Sequence, residues 1–161
     1  MLTAITGVNW GDEGKGRMVD LLSSDYDIVV RYQGGNNAGH TVVNDKGKFV
    51  LNLLPSGILR EDVVNVMGSG MVIDLAHLAK ETDTLRERGI SITPANLKIS
   101  ERACICMPYH PMLDVLAETR LGAGAFGRTR PGRAPGYGDQ DMKKALGMGQ
   151  LLYLADPKGR V

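Results

Sequence analysis

The run Gly7-Val-Asn-Trp-Gly-Asp-Glu-Gly-Lys-Gly16 overlaps the end of an apolar stretch, Leu2 to Val8, and leads into Met18, Leu21 and Leu22 at helical spacing. The expected order is buried strand, glycine-rich turn, helix. That order points to an α/β fold with a mostly parallel central sheet, flanking helices and a phosphate-binding turn after the first strand. At such a turn the first N–H groups of the helix lack intrahelical partners and the helix dipole favours an anion, so phosphate can dock. Lys15 adds a point charge. The run departs from the Walker A pattern in two places: Asn9 stands where its first glycine belongs, and Gly16 replaces the Mg²⁺-binding hydroxyl. Asp12, inside the turn, is the candidate substitute ligand. A glycine-rich turn is often only a turn; the embedded Asp-Glu-Gly-Lys argues for chemistry.

A second glycine-rich run, Gln33-Gly-Gly-Asn-Asn-Ala-Gly-His-Thr41, follows an expected strand from Asp27 to Tyr32. Ligands collect at the carboxyl ends of strands in open α/β sheets. Both runs can therefore face one pocket, with His40 opposite Asp12. A loop histidine is commonly a hydrogen-bonded structural residue, and His40 gains weight from the glycines, Asn37 and Thr41 around it.

Together the runs GDEGKGR (Gly11 to Arg17), VVRYQGGNNAGHT (Val29 to Thr41) and LPSGILRED (Leu54 to Asp62) resemble adenylosuccinate synthetase, the GTP-dependent ligase of purine synthesis. GSGMVID (Gly68 to Asp74) and PYHPMLD (Pro108 to Asp114) match more loosely. The resemblance implies ligation of IMP to L-aspartate with GTP hydrolysed to GDP and phosphate, through 6-phosphoryl-IMP, with Mg²⁺ as the metal. It implies Asp12 as the base at ring nitrogen 1 of IMP and His40 as the acid at the 6-oxygen. The GTP-phosphate contacts fall on Gly11, Asp12, Glu13, Gly14, Lys15, Gly16, Arg17, Gly39, His40 and Thr41. The IMP contacts fall on Asp12, Glu13, Gly14, Lys15, Asn37, Ala38, Gly39 and His40, with Thr129 at the phosphate and Lys143 where the family often offers Arg from the partner subunit. Lys lacks the bidentate fork of Arg. Mg²⁺ falls to Asp12 and the carbonyl of Gly39. A homodimer is implied by the same resemblance.

Length sets a second expectation. The chain has 161 residues and a formal net charge of +1, ordinary globular material of about one domain. Family chains run to more than twice this length, and no Asn-Lys-x-Asp sequence for reading guanine occurs here. The expectation is an amino-terminal part: residues 1–120 as a nucleotide-binding core, residues 121–161 as a Gly/Arg-rich IMP-site loop and tail, and the carboxyl-terminal half absent. Two readings follow: a ligase complete only with the remainder, or a nucleotide-binding or dimerising fragment without turnover. Pro131 and Arg133 depart from the family's loop pattern, and Pro131 removes a donor N–H. Arg128, Arg130 and Arg133 lack an aromatic stacking platform, so nucleic acid is not expected as a partner. No apolar run approaches about twenty residues and no basic lead precedes the first strand, so neither membrane nor export is expected, and the cytoplasm is the default.

Between the motifs, Thr41 to Val43 and Lys48 to Leu54 flank a turn signal and should form a hairpin. Val63 to Met67 should be a strand, with Gly68-Ser-Gly70 leading to a helix capped by Asp74. That helix should carry Leu75, Leu78, Ala79 and Leu85 on one face and close at Gly89. Leu97 to Ile99 and Ala103 to Met107 should be strands, and Pro111 to Thr119 a helix carrying Met112, Leu113, Val115 and Leu116. No element is expected in Leu151 to Val161. Cys104 and Cys106, near His110, fit zinc spacing poorly and should be buried as small hydrophobes. His77 should lie at the surface or an interface, and His110 should pack or donate a hydrogen bond.

Overall fold

The computed structural model describes residues 1–8, 14–36, 39–44, 47–121 and 132–155. Among these, β1 (Ile28–Gly34), β4 (Val64–Ile73) and β5 (Leu97–Ile99) form a parallel sheet in the order β1-β4-β5, and β6 (Cys104–Ile105) pairs with the far end of β4. A separate antiparallel hairpin joins β2 (His40–Asn44) to β3 (Gly47–Leu51). The helices are α1 (Lys15–Leu22), α2 (Leu75–Glu87), α3 (Tyr109–Leu121), α4 (Arg133–Asp141) and α5 (Gln150–Ala155). The α/β class with a mostly parallel sheet is as expected.

The core lies between the sheet, the hairpin and α2. Phe49 and Leu51 from β3 meet Met67, Met71 and Ile73 from β4 there, joined by Leu53, Leu54, Ile58 and Leu85. Burying a side chain of this size contributes about 1.5–3 kcal/mol. Asp74 caps α2 by accepting the His77 N–H at 3.0 Å, and Gly89 ends the helix region with a left-handed φ of 80°. Of the residues expected on the buried face, Leu85 is in the core and Leu78 packs against it, but Leu75 and Ala79 are exposed. Glu81 occupies the inward position between Leu78 and Leu85. Its carboxylate accepts the N–H groups of Asn52, Leu53 and Leu54 at 2.7, 2.8 and 3.4 Å. These bonds explain why β3 stops at Leu51 rather than continuing to Leu54.

Gly68-Ser-Gly70 lies inside β4 instead of leading out of it. The neighbouring strand shifts register between Arg31 and Gln33, an irregularity that brings the Tyr32 backbone toward β4. A Cβ on Gly68 would come within 2.8 Å of Tyr32 Cα, and one on Gly70 within 2.7 Å of Tyr32 O. Only glycine fits between these backbones without a shift. Gly70→Ala should therefore destabilise the chain by about 1–3 kcal/mol, read as a lower thermal midpoint; an unchanged midpoint would contradict this packing.

Leu2 to Val8 forms no strand. Leu2 and Val8 are 96% and 91% exposed, and the segment pairs with no strand among the described residues. Strand propensity is realised only against a neighbour. The outward face of the sheet carries Ile28, Val30 and Tyr32, all about half exposed, although parallel sheets are ordinarily covered on both faces.

Helix α3 inverts the expected face. His110, Asp114 and Glu118 are buried, while Met112, Leu113, Val115 and Leu116 are exposed. The buried side is polar because α4 docks there. His110 Nδ1 accepts the Met107 N–H, leaving Nε2–H to donate to Asp139 Oδ2 at 3.1 Å. Tyr109 donates to the same carboxylate at 2.8 Å, and Asp114 accepts the Gly132 N–H at 2.9 Å. The His110 and Tyr109 hydrogen bonds hold the Asp139 carboxyl below the usual carboxylate range. Residues Gln150–Ala155 form a helix where no element was expected. Its start follows the Gly147 N–H bond to Gln150 Oε1 at 2.7 Å, an interaction no apolar period announces. Cys104 is buried, as expected, and Cys106 is half-buried with its thiol pushed up to about 11, chiefly by burial.

Candidate functional site

The first turn of α1 meets the start of β2. Gly14 precedes the helix with a left-handed φ of 74°, and its carbonyl accepts the N–H groups of Arg17 and Met18 at 3.1 and 3.2 Å. Gly16 then passes directly under His40: a Cβ there would lie 2.7 Å from both Cβ and Cγ of that residue. The glycine is thus a contact requirement, beyond any role in the turn. His40 Nε2 lies 2.9 Å from Ser56 Oγ, and the same hydroxyl is 3.4 Å from the Gly16 carbonyl. Ser56 is buried at the start of the 3-10 turn Ser56–Leu59.

Arg31 secures the second loop from below. Its guanidinium donates to the carbonyls of Asn52 and of Gly35, the latter at 2.8 Å. This ties the carboxyl end of β1 to the residue after β3. Gly39 closes the arrangement, since a Cβ there would come within 2.9 Å of Asn52 Nδ2. Tyr137 of α4 also reaches this end of β1, accepting the Gly34 N–H at 2.9 Å and donating to the Gly70 carbonyl at 2.8 Å.

Burial holds His40 below its ordinary value of 6.5, and the Arg31 charge adds to that; Glu81 and Asp20 oppose it. A histidine held neutral by the fold makes the unfolded chain the better proton binder between its lowered pKa and 6.5. Stability should therefore rise with pH across that window; equivalently, it is lost progressively as pH falls below 6.5. His40→Gln should remove this part of the pH dependence in thermal unfolding. An NMR titration midpoint for His40 at or above 6.5 would contradict the assignment.

Of the residues singled out from sequence, Gly14, Lys15, Gly16, Arg17, Gly39, His40 and Thr41 lie on these two adjoining segments. Lys15, Arg17 and Thr41 are exposed. Gly11, Asp12, Glu13, Asn37, Ala38 and Thr129 lie outside the described residues, as do Asn9, Trp10 and Pro131. Lys143 is exposed in the turn after α4, with a left-handed φ of 58°. His77 is partly exposed and 3.8 Å from Glu81.

Three contributors escaped the sequence reading. Ser56 lies in the run LPSGILRED, which carries the resemblance but gives that hydroxyl no role. Arg31 had a usable signal, a lone cation in the apolar run Ile28 to Tyr32. Glu81 had one as well, a carboxylate on the inward stripe of α2.

Comparison with known proteins gives the context for this geometry. The adenylosuccinate synthetase family model matches residues 4–159. Adenylosuccinate synthetase 2 of Pseudoalteromonas translucida is 50% identical over 147 residues, covering 91% of this chain and 34% of that protein. Adenylosuccinate synthetase of Halothermothrix orenii is 49% identical over 148 residues, covering 92% of this chain and 34% of the relative. The structure of the fully ligated Plasmodium falciparum adenylosuccinate synthetase superposes with a TM-score of 0.79 at 36% identity, covering 88% of this chain and 33% of that one. The chain spans about a third of the length of these relatives. By sequence across almost its whole length, and by fold, the chain belongs to the adenylosuccinate synthetase family.

Proposed function

We propose that this chain forms the phosphate-binding and IMP-binding part of an adenylosuccinate synthetase, and that alone it binds nucleotide without turnover. The observation that carries the reading is the direct contact of Gly16 with His40, which sets a candidate anion-binding helix start beside an imidazole. The complete protein would join IMP to L-aspartate at the expense of GTP. Since the chain is about a third of its relatives' length, base and amino-acid recognition would come from further polypeptide. The exposed sheet residues Ile28, Val30 and Tyr32 and the outward apolar side chains of α3 suit a part that is covered in a larger assembly, and a homodimer belongs to the same proposal.

In this reading Asp12 takes the proton from ring nitrogen 1 of IMP, which drives charge onto the 6-oxygen for attack on the γ-phosphate. His40 hydrogen-bonds that oxygen and the transferring group. Gly11 to Arg17 and Gly39 to Thr41 hold GTP phosphates, while Asp12 to Lys15, Asn37 to His40, Thr129 and Lys143 hold IMP. Phosphoryl transfer depends mainly on positioning and electrostatic stabilisation, the work assigned here to Lys15 and the N–H groups at the start of α1. Asp12 and the Gly39 carbonyl would hold Mg²⁺. One carboxylate and one carbonyl suit this ion, which keeps several waters and takes phosphate oxygens, and Gly39 immediately precedes His40 at the contact with α1. When bound, the metal supplies charge neutralisation at the phosphates.

The test is thermal shift of the chain with IMP and with GTP·Mg²⁺, beside an assay for GDP and adenylosuccinate in the presence of aspartate. A raised midpoint without product is expected. No nucleotide-dependent shift would contradict the binding reading, and steady product formation would contradict the absence of turnover.

A further inference from the structure

The hydroxyl of Ser56 is the least expected element of the site. The residue is 3% exposed, yet its Oγ bridges two separate segments, 2.9 Å from His40 Nε2 and 3.4 Å from the Gly16 carbonyl. A serine hydroxyl has one proton and lone pairs to accept others. Directed to the Gly16 carbonyl, that proton leaves an Oγ lone pair facing His40, so the imidazole donates from Nε2–H. We propose that Ser56 is a positioning residue for His40: it holds the imidazole against the first turn of α1 and keeps the proton on Nε2.

The inference rests on the reading of His40 as an acid. A side chain that must present a proton to an oxygen works best with ring orientation and tautomer set beforehand, and an acceptor facing a ring nitrogen keeps the proton on that nitrogen. The contact of Gly16 with His40 Cβ and Cγ fixes the ring's near edge, and Ser56 fixes its far nitrogen. Among the described residues, the charged groups acting on the ring are Arg31, Glu81 and Asp20. An incoming substrate oxygen would compete with Ser56 Oγ for the same Nε2–H.

The decisive experiment is long-range ¹H–¹⁵N correlation of the imidazole nitrogens in the chain, with His40 assigned through His40→Gln. The parent should show predominantly the Nε2–H form. Ser56→Ala should relax the His40 nitrogen signals toward the tautomer mixture of a solvated imidazole while the signals of His77 and His110 stay in place, which reports an intact fold. Ser56→Cys keeps the volume and weakens the acceptor, so it reads the same effect should the alanine variant fail to fold. In the complete enzyme either variant should lose kcat by about 10²-fold, the scale of a 1 Å misplacement, with KM for GTP little changed. An unaltered His40 tautomer in the variants would overturn the role of Ser56. Full turnover by His40→Gln would instead overturn the acid reading, a separate result from the tautomer comparison.

Discussion

Asp12→Asn in the complete enzyme should abolish measurable turnover while nucleotide binding persists. A positioned acid or base typically contributes about 10²–10⁴-fold, and here the same carboxylate is also assigned to Mg²⁺, so the loss should be at least that large. Asparagine keeps the size of the side chain but neither takes the proton nor supplies the charge. The glycines on either side, and the helix start at Gly14 to Gly16, are untouched, which is why phosphate should still dock. Isothermal titration with GTP·Mg²⁺ and IMP, alongside steady-state rates, separates the two effects. Near-normal kcat in this variant would remove Asp12 from the chemistry.

Glu81→Ala should produce the largest loss of stability. The carboxylate accepts N–H groups from Asn52, Leu53 and Leu54, and Leu53 and Leu54 have no exposed surface. Leaving a buried donor unsatisfied costs about 1–3 kcal/mol each, so a loss of roughly 3 kcal/mol or more is expected. For a chain of this length that lowers the thermal midpoint by on the order of 10 °C. Glu81→Gln retains one acceptor oxygen and should fall between the two. The effect reaches the site, because Asn52 touches Gly39 and accepts from Arg31, and Ser56 follows two residues after Leu54. An alanine variant as stable as the parent would show that water satisfies these N–H groups.

Where a local rule sufficed, the fold was legible in the sequence. Asp74 announced the start of α2 by its capping chemistry, the turn signal from Asn44 to Gly47 announced the β2–β3 hairpin, and the run Asp27 to Tyr32 announced β1. Elements whose state depends on distant neighbours were not. Gly68 and Gly70 read as a lead into α2, yet they lie inside β4 and serve the close approach of Tyr32. The apolar residues of α3 looked like a buried face, but docking of α4 through His110, Asp114 and Asp139 turned them outward. Leu2 to Val8 had strand propensity but pairs with no strand among the described residues. The site followed the same division. Its glycine-rich runs and His40 stood out by residue type, whereas Ser56, Arg31 and Glu81 act through tertiary hydrogen bonds that no spacing encodes.

In the proposed function the helix start after the first glycine turn and the imidazole at the start of β2 serve one ligand. Titration of the isotope-labelled chain with GTP·Mg²⁺ follows the amides of Gly14, Lys15 and Gly16 together with the His40 ring. All should move along one binding curve with a single Kd. Amides that shift while the His40 ring stays unmoved, or no shift at either segment, would contradict it.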